Sequence, residues 1–284
     1  MSYPTVRRRR LGAELRRLRE ESGLTLDDVA DRTSLPAAKV SRIETARLGI
    51  KPGDLATLLE LYGVDDEGKR ALLHALARDG SRRGWWQTYR DTISPAYADL
   101  ISLESEAHSV RCYETHLIPG LLQTAAYARA TIAAINMTSP HEHVDALTEV
   151  RQARQAVLTR REPLELWAII HEAALRTRVP AGPHVMRDQL QHLVDRAELP
   201  HVSIQVLPFS AAPHPGMAGP FTVVRFSDAP GMDVVLLESL TSALYVEDHA
   251  EVGRYASAFE RLRAAALPVD ASSDLIKAIK DKIT

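Results

Sequence analysis

The sequence predicts a mainly α-helical protein with a smaller β component, built from two domains. Three observations over the 284 residues predict it. Leucines recur at helical spacing through residues 11–76, which indicates an N-terminal domain of five short helices over residues 1–80. A break containing Gly and Ser follows at 79–84. Beyond it, helical segments mix with short apolar runs, which indicates an α+β domain with an antiparallel sheet over residues 95–268.

The starts and ends of the N-terminal helices are marked by local signals. Leu11, Leu15 and Leu18 share one face of the first helix, and Gly23 ends it. The second helix begins at Thr25, because Thr25-Leu-Asp-Asp has the pattern of a capping box. The other three helices are predicted to begin at Pro36, at Lys51-Pro-Gly-Asp and at residue 65.

Residues 25–44 predict two short helices joined by a tight turn. Val40 and Ile43 bury the second of the two, which leaves an outward set. The outward residues are Ala37, Ala38, Lys39, Ser41 and Arg42. This arrangement is typical of a helix-turn-helix unit that reads duplex DNA. No enzymatic motif elsewhere in the sequence is as specific.

The run from Thr25 to Glu44, with the preceding Leu-Arg-Arg-Leu-Arg at 15–19, resembles the lambda-repressor-like (Cro/CI, xenobiotic-response-element type) DNA-binding domain. The resemblance implies that the third helix enters the major groove. It implies base-edge contacts for Ala37, Ala38, Lys39 and Arg42, and backbone contacts for Ser41 and Arg47. Because such heads read two half-sites, a homodimer on double-stranded DNA is expected. Ser34 stands where the turn usually has glycine, and a positive φ there would be strained.

The charge distribution also indicates that the N-terminal end is the part that binds DNA. Residues 1–51 hold 12 Lys and Arg against 7 Asp and Glu, although the whole chain has a net charge of −2. One basic end indicates that only this end meets a polyanion. Four consecutive arginines lie there: Arg7, Arg8, Arg9 and Arg10. They predict a basic arm that contacts phosphates or the minor groove, and the alternative is a solvated leader into the first helix.

A linker with two tryptophans is predicted over residues 81–94. Trp85 and Trp86 are unfavourable in water, so they are expected to dock the linker onto the second domain. An aromatic platform for a ligand is the alternative.

The C-terminal domain predicts helices and strands in succession. The helices are predicted at 99–111, 120–135, 141–160, 185–197 and 248–266, and the strands at 164–170, 202–207, 221–226 and 234–237. A helical tail over 269–284 carries an apolar stripe, so it should dock on its own domain or on a partner subunit.

Short motifs in this half resemble the WhiJ-like family of actinobacterial regulators. They are Arg-Gly-Trp-Trp (83–86), Tyr-Glu (113–114), Ile-Pro-Gly-Leu-Leu-Gln-Thr (118–124), Tyr-Ala-Arg (127–129), Glu-Ala-Ala-Leu-Arg (172–176), Val-Leu-Pro-Phe (206–209), His-Pro-Gly (214–216) and Gly-Pro-Phe (219–221). The resemblance implies a transcription regulator, often encoded beside a small protein that antagonises it. An antitoxin-like protein that mainly binds such a partner, with autoregulatory DNA binding, is the alternative function.

A few C-terminal residues are candidates for binding a ligand or partner. Gly120 begins a predicted helix, where an anion site and a structural turn are both open, the turn being favoured. His171 and Glu172 could form an acid–base pair, although a buried structural carboxylate is favoured. His214 lies in a loop that is either a lid over a pocket or a wide hairpin connection.

Several classes of function are excluded by what the sequence lacks. His141 and His143 have no second ligand pair at zinc spacing, and Cys112 is a lone cysteine. We therefore expect no metal, no cofactor and no enzymatic activity. The apolar runs are too short to span a membrane, and the cysteine usage favours the cytoplasm, with association to the nucleoid when DNA is bound.

Overall fold

The structure is a computed structural model that describes residues 5–79, 84–226 and 233–283. It divides into two compact units, Met1–Gln87 and Thr88–Thr284. The prediction of a mainly helical chain with a smaller β component is confirmed. Residues 81–83 of the predicted linker lie outside the described ranges.

The first unit contains the five predicted helices. They are α1 (Val6–Glu21), α2 (Leu26–Arg32), α3 (Ala37–Glu44), α4 (Pro52–Leu61) and α5 (Glu67–Asp79). α1 packs against α3 and α5, and α2 packs against α3. The core is made of the predicted apolar positions, which include Leu11, Leu15, Leu18, Val29, Val40, Ile43, Leu55, Leu58 and Leu59.

The second unit begins with helices and one central strand. Its first elements are α6 (Pro95–Glu106), β1 (Ser109–Glu114), α7 (Ala125–Ile135), α8 (His141–Arg154), β2 (Glu165–His171), α9 (Glu172–Arg176) and α10 (Pro183–Arg196). They are followed by β3 (Val202–Leu207), β4 (Phe221–Arg225), β5 (Val234–Glu238), β6 (Ala243–Val246), α11 (His249–Ala265) and α12 (Val269–Asp281).

The sheet is mixed rather than antiparallel throughout, with strand order β3-β2-β1-β4-β5-β6. β1, β2 and β3 are parallel neighbours, whereas β4, β5 and β6 form an antiparallel meander next to β1. The meander was expected from the strands at 202–207, 221–226 and 234–237, but β3 lies at the opposite edge, and β6, which was not predicted, takes the third place. The difference comes from the connections. Helices link β1 to β2 and β2 to β3, and a helical crossover returns the chain in the same direction.

The prediction of a helix over 99–111 is wrong at its end. α6 stops at Glu106, and residues 109–114 form β1, the strand between β2 and β4. The amide of His108 donates to the carbonyl of Arg225 across the sheet, at 2.9 Å, instead of continuing the helix. Val110, Cys112 and Tyr113 are buried there, because both faces of a central strand are covered.

Three other segments differ from their predicted bounds. The helix expected at 120–135 is a short 3-10 turn, Gly120–Leu122, followed by α7, which Thr124 caps. The helix expected at 141–160 ends at Arg154 and continues as a 3-10 turn, Gln155–Leu158. The tail docks on its own unit: the hydroxyl of Ser272 on α12 accepts the amide of Val206 on β3, at 2.9 Å.

One face of the sheet is covered by α11. Phe259 and Leu262 of α11 pack there on Tyr113 of β1, Ile169 of β2 and Val235 of β5. Alternation along the strands turns Cys112 and Glu114 to the opposite face. That opposite face carries the cavity described below.

Candidate nucleic-acid interface

Side chains hold both ends of α2, the first helix of the helix-turn-helix unit. Thr25 and Asp28 form the predicted capping box, with the Thr25 hydroxyl accepting the Asp28 amide at 3.1 Å and the Asp28 carboxylate accepting the Thr25 amide at 2.8 Å. At the other end, the Thr33 hydroxyl donates to the Val29 carbonyl and accepts the Leu35 amide. The two hydrogen bonds of Thr33 hold the turn, which has Ser34 where such turns usually have glycine. Ser34 is not in the left-handed region, so the strain considered for it does not arise.

α3 is fixed against α1 at very short range. A Cβ atom on Gly12 of α1 would lie 2.5 Å from the carbonyl oxygen of Glu44 and 2.7 Å from that of Ile43. Only a residue without a side chain permits this approach. The position of the third helix therefore depends on a glycine inside the first.

A buried ion pair holds the same two helices together. Nε of Arg19 donates to Glu44 Oε1 at 2.8 Å, and Nη2 donates to Oε2 at 3.0 Å. The third arginine nitrogen, Nη1, donates to the carbonyl of Leu24 before α2. The hydrogen bonds to Glu44 raise the pKa of Arg19. One arginine thus ties α1, the α1–α2 loop and the end of α3 into one unit.

The outward face of α3 agrees with the predicted set, with the exception of Lys39. Ala38, Arg42 and Thr45 are exposed, while Ala37 and Ser41 are half-buried. Val40 and Ile43 lie in the core, as predicted. Nε of Arg42 makes one contact, a 3.3 Å hydrogen bond to the carbonyl of Ala38 on the same helix. Its guanidinium is therefore free to turn toward a ligand at little cost.

Lys39 is not presented as a free reading residue. Its Nζ lies 2.6 Å from Oδ2 of Asp54 in the first turn of α4. The two side chains are 29% and 22% exposed, so the pair is half-buried. An ion pair of this kind is worth about 0–1 kcal/mol, which a DNA phosphate can match.

The prediction of a basic arm is wrong in its conformation, while the contact of these arginines with DNA stays a prediction. Arg7, Arg8, Arg9 and Arg10 lie inside α1, which begins at Val6. The cause is local: the hydroxyl of Thr5 accepts the amide of Arg8 and caps the helix, and arginine is a good helix former. Arg7 is buried.

Three basic residues lie in or beside the loop after α3. A Cβ on Gly49 would lie 3.9 Å from Nη2 of Arg8, which places that guanidinium beside the loop. Arg47 and Lys51 are exposed in the same loop. The group Arg8, Arg47 and Lys51 can therefore meet a phosphate backbone that passes the end of α3.

Sequence reasoning missed the residues that position α3. Gly12 stands between apolar helix residues and could have signalled a close crossing. Ala46, with φ at 59°, is the only non-glycine residue of positive φ in the described ranges, and it ends α3. The partners Arg19–Glu44 and Lys39–Asp54 are 25 and 15 residues apart and carry no local signal.

The tryptophans of the linker form a small aromatic pair. Trp85 and Trp86 lie in a 3-10 turn, Trp85–Tyr89, with ring centroids 6.0 Å apart and planes at 88°. Trp85 is 41% exposed. Their docking onto the second domain stays a prediction.

The segment around Gly120 is held by buried glutamines. The side chain of Gln189 donates to the carbonyl of Leu122 and accepts the amide of Thr124, both at 2.7 Å. Gln123 donates to the carbonyl of Ile118, at 2.7 Å. These bonds satisfy the backbone of a tight turn, which is the structural role favoured for this segment.

His171 caps α9, and the carboxylate of Glu172, the first residue of α9, is held by an amide and a guanidinium. Nδ1 of His171 accepts the amide of Ala173 at 3.1 Å, and burial lowers the pKa of the ring. Burial alone would raise the pKa of Glu172, but the amide of Phe209 and the guanidinium of Arg176 bring it below its ordinary value. Their bonds to Glu172 are 3.1 and 2.7 Å long. Nδ1 of His171 and both carboxylate oxygens of Glu172 are thus engaged within the fold.

The loop of His214 is not a hairpin connection, because β3 and β4 lie apart in the sheet. The ring of His214 stands edge-on to Tyr113, with centroids 6.2 Å apart. A Cβ on the following Gly216 would lie 2.4 Å from the Tyr113 ring, so the loop packs closely on the core.

The described residues contain neither a metal-binding cluster nor a membrane-spanning helix. Within the described ranges, no group of three or more His, Cys, Asp and Glu side chains is placed to hold a metal ion. None of the helices in the same ranges is long and apolar enough to cross a bilayer. Cys112 is buried, and burial raises the pKa of its thiol well above the ordinary value.

Comparison with known proteins identifies both units. Residues 10–73 match a helix-turn-helix domain, and residues 97–278 match the family described as a domain of unknown function, DUF5753. No curated protein matches the chain, and no solved structure matches it. A helix-turn-helix domain followed by DUF5753 is the architecture of a DNA-binding regulator. Because the second match covers more than half of the chain, the protein belongs to the DUF5753 family.

Proposed function

We propose that this protein is a sequence-specific regulator of transcription that binds double-stranded DNA as a homodimer. The observation that carries the proposal is the rigid mounting of α3. Gly12 and the Arg19–Glu44 pair fix the helix, and Ala38 and Arg42 stand on its outward face. A helix that enters the major groove needs this combination of fixed backbone and exposed side chains.

The proposed division of labour follows from which side chains are already engaged. Arg42 reads a guanine through paired hydrogen bonds, and the methyl group of Ala38 packs on a thymine methyl. Arg8, Arg47 and Lys51 contact phosphates. Lys39 contributes only when Asp54 releases it. Because few side chains read bases, specificity also depends on half-site spacing and on DNA shape.

The test is selection of bound duplexes from a random pool, followed by binding measurements over a range of salt concentrations. Arg42→Ala should relax the preference at one base pair per half-site, by about 1–3 kcal/mol. Arg47→Ala should weaken all sequences alike and lower the salt slope by about 1. The matched control is Arg16→Ala, which removes the same charge from an exposed position of α1. An Arg42→Ala variant with unchanged affinity and base preference would refute the docking of α3.

For the C-terminal domain we propose a binding role rather than catalysis. The hydrogen bonds that His171 and Glu172 make within the fold support this, because they engage Nδ1 of His171 and both carboxylate oxygens of Glu172. The proposed grouping with the WhiJ-like actinobacterial regulators and the proposed small partner protein rest on the sequence motifs. The proposed cytoplasmic location rests on the cysteine usage. Co-purification with the product of the neighbouring gene tests the partner, and a homodimer that captures nothing counts against it.

A further inference from the structure

The second unit contains a cavity of about 470 Å³ on the sheet face opposite α11. It lies between β1, the segment that follows β1, and residues of α6, α8 and β5. Its apolar lining includes Leu100, Val110, Leu166 and Leu236. A volume of this size with mostly apolar walls and a few polar groups is typical of small-molecule sites.

One charged pair in the cavity is closed and unavailable to a ligand. Nε and Nη2 of Arg154 donate to the two carboxylate oxygens of Glu104, both at 2.8 Å. Nη1 of Arg154 donates to the hydroxyl of Tyr97 at 2.9 Å. The side chains of the pair are 7% and 3% exposed, so this group forms part of the wall.

Besides this pair, two carboxyl groups and one arginine line the cavity. Glu114 at the end of β1 and Glu238 at the end of β5 both line the cavity, with Arg151 of α8 as the cation near them. Nη1 of Arg151 already donates to Gln123, at 3.1 Å. No described residue donates a hydrogen bond to the Glu114 carboxyl. Burial and the charge of Glu238 raise the pKa of Glu114 to about 8, and Arg151 offsets this only in part.

Three other titratable side chains lie near Glu114. His116 lines the same cavity, and its Nδ1 is hydrogen-bonded to the hydroxyl of Thr115 at 2.7 Å. Cys112 on β1 and Tyr127 on α7 interact with Glu114, and burial raises the pKa of both groups. They are therefore neutral near pH 7. The half-buried carboxyl of Glu114 keeps its proton near pH 7, and a positive charge from outside would remove it.

Apolar side chains are exposed where the cavity opens. Ile135 at the end of α7 and Leu240 after β5 line the cavity and are 42% and 73% exposed. A molecule with an apolar body would cover them while a charged end reached Glu114. Nε of Arg151 is buried without an acceptor, which leaves one donor for a polar atom of the same molecule.

We propose that this cavity binds a small organic cation, with an ammonium group between Glu114 and Glu238 and an apolar body along Ile135 and Leu240. The inference deepens the proposed function, since it assigns a ligand class to the C-terminal domain of the regulator. Binding itself is measured without DNA. Failure of the cation to bind and failure of the chain to bind DNA are therefore separate results.

The experiment is calorimetric titration of the full chain near pH 7 with three probes of one chain length: hexylamine, hexanol and hexanoate. Hexylamine should bind at least tenfold more tightly than hexanol. It should also release close to one proton, because Glu114 ionises in the complex. Titrations in two buffers of different ionisation enthalpy measure that proton.

The variant Glu114→Gln separates the site from a folding effect. Glutamine has the shape of the protonated acid, so the empty protein should stay folded, which its circular dichroism checks. Affinity for hexylamine should fall at least tenfold, and the proton release should vanish. The matched control is Glu165→Gln on β2, at an exposed position that does not line the cavity. Tighter binding of hexanoate, unchanged binding by Glu114→Gln, or no saturable binding of hexylamine would each overturn the proposal.

Discussion

Replacing Gly12 by alanine should destabilise the N-terminal unit, although alanine is the better helix former. In an ordinary helix interior the exchange gains about 1 kcal/mol. Here the new Cβ would lie 2.5 and 2.7 Å from two carbonyl oxygens of α3, and these are backbone atoms that cannot rotate away. Overpacking of this kind costs about 1–3 kcal/mol, and displacement of α3 also strains the Arg19–Glu44 pair. We expect a net loss of roughly 1–2 kcal/mol, a factor of about 5–30 in the opening equilibrium.

Hydrogen exchange followed by mass spectrometry measures this loss in the full chain, segment by segment. Protection of α1 and α3 should fall, and DNA affinity should fall with it because the reading helix moves. The matched control is Gly53→Ala in α4, where a Cβ would meet nothing within 4 Å. That variant should keep its protection or gain about 0.5–1 kcal/mol. If Gly12→Ala gains protection as the control does, the close approach of α1 and α3 is refuted.

Three other perturbations test separate parts of the structure. Asp54→Asn frees Lys39, so DNA of every sequence should bind more tightly and the salt slope of binding should rise by about 1. Fluorescence anisotropy at several salt concentrations measures both the affinity and the slope. An unchanged slope would contradict the pairing of Lys39 with Asp54. Arg19→Met leaves the Glu44 carboxylate buried without its partner, which should cost about 3–5 kcal/mol of unfolding free energy in urea titrations. The double variant with Glu44→Gln should recover part of that loss. Equal losses in the single and the double variant would refute the ion pair. The pKa of Glu114 is about 8 in the folded state against an ordinary 4.5, so between these pH values the folded state holds a proton that the unfolded chain has lost. The free energy of unfolding should therefore fall as the pH rises from 4.5 to 8. Melting temperatures across that range should fall less in Glu114→Gln, and a wild-type slope in that variant would contradict the assignment.

Local patterns predicted the N-terminal unit well because its helices are encoded over short distances. The capping box at Thr25 and Asp28 appears as expected, and Val40 and Ile43 are buried as their spacing indicated. In the C-terminal unit the strands at 165–171, 202–207 and 221–225 were also visible. β1 was not visible, because the helical pattern of α6 leads into it. Its buried residues also do not alternate with exposed ones, since both faces of the sheet are covered at this strand.

Contacts between distant parts of the chain could be identified only in the folded structure. Gly12 approaches α3 across the domain, and Asp54 holds Lys39 from another helix, so neither pairing follows from neighbours in sequence. The parallel order of β1, β2 and β3 depends on crossovers whose direction is fixed only when β1 is recognised. The cavity gathers Glu114, Arg151 and Glu238 from three elements. Short-range signals thus determine which segments are helices and which of them resembles a DNA reader. Packing decides which charged side chains remain available, because burial and ion pairing depend on residues far away in the chain.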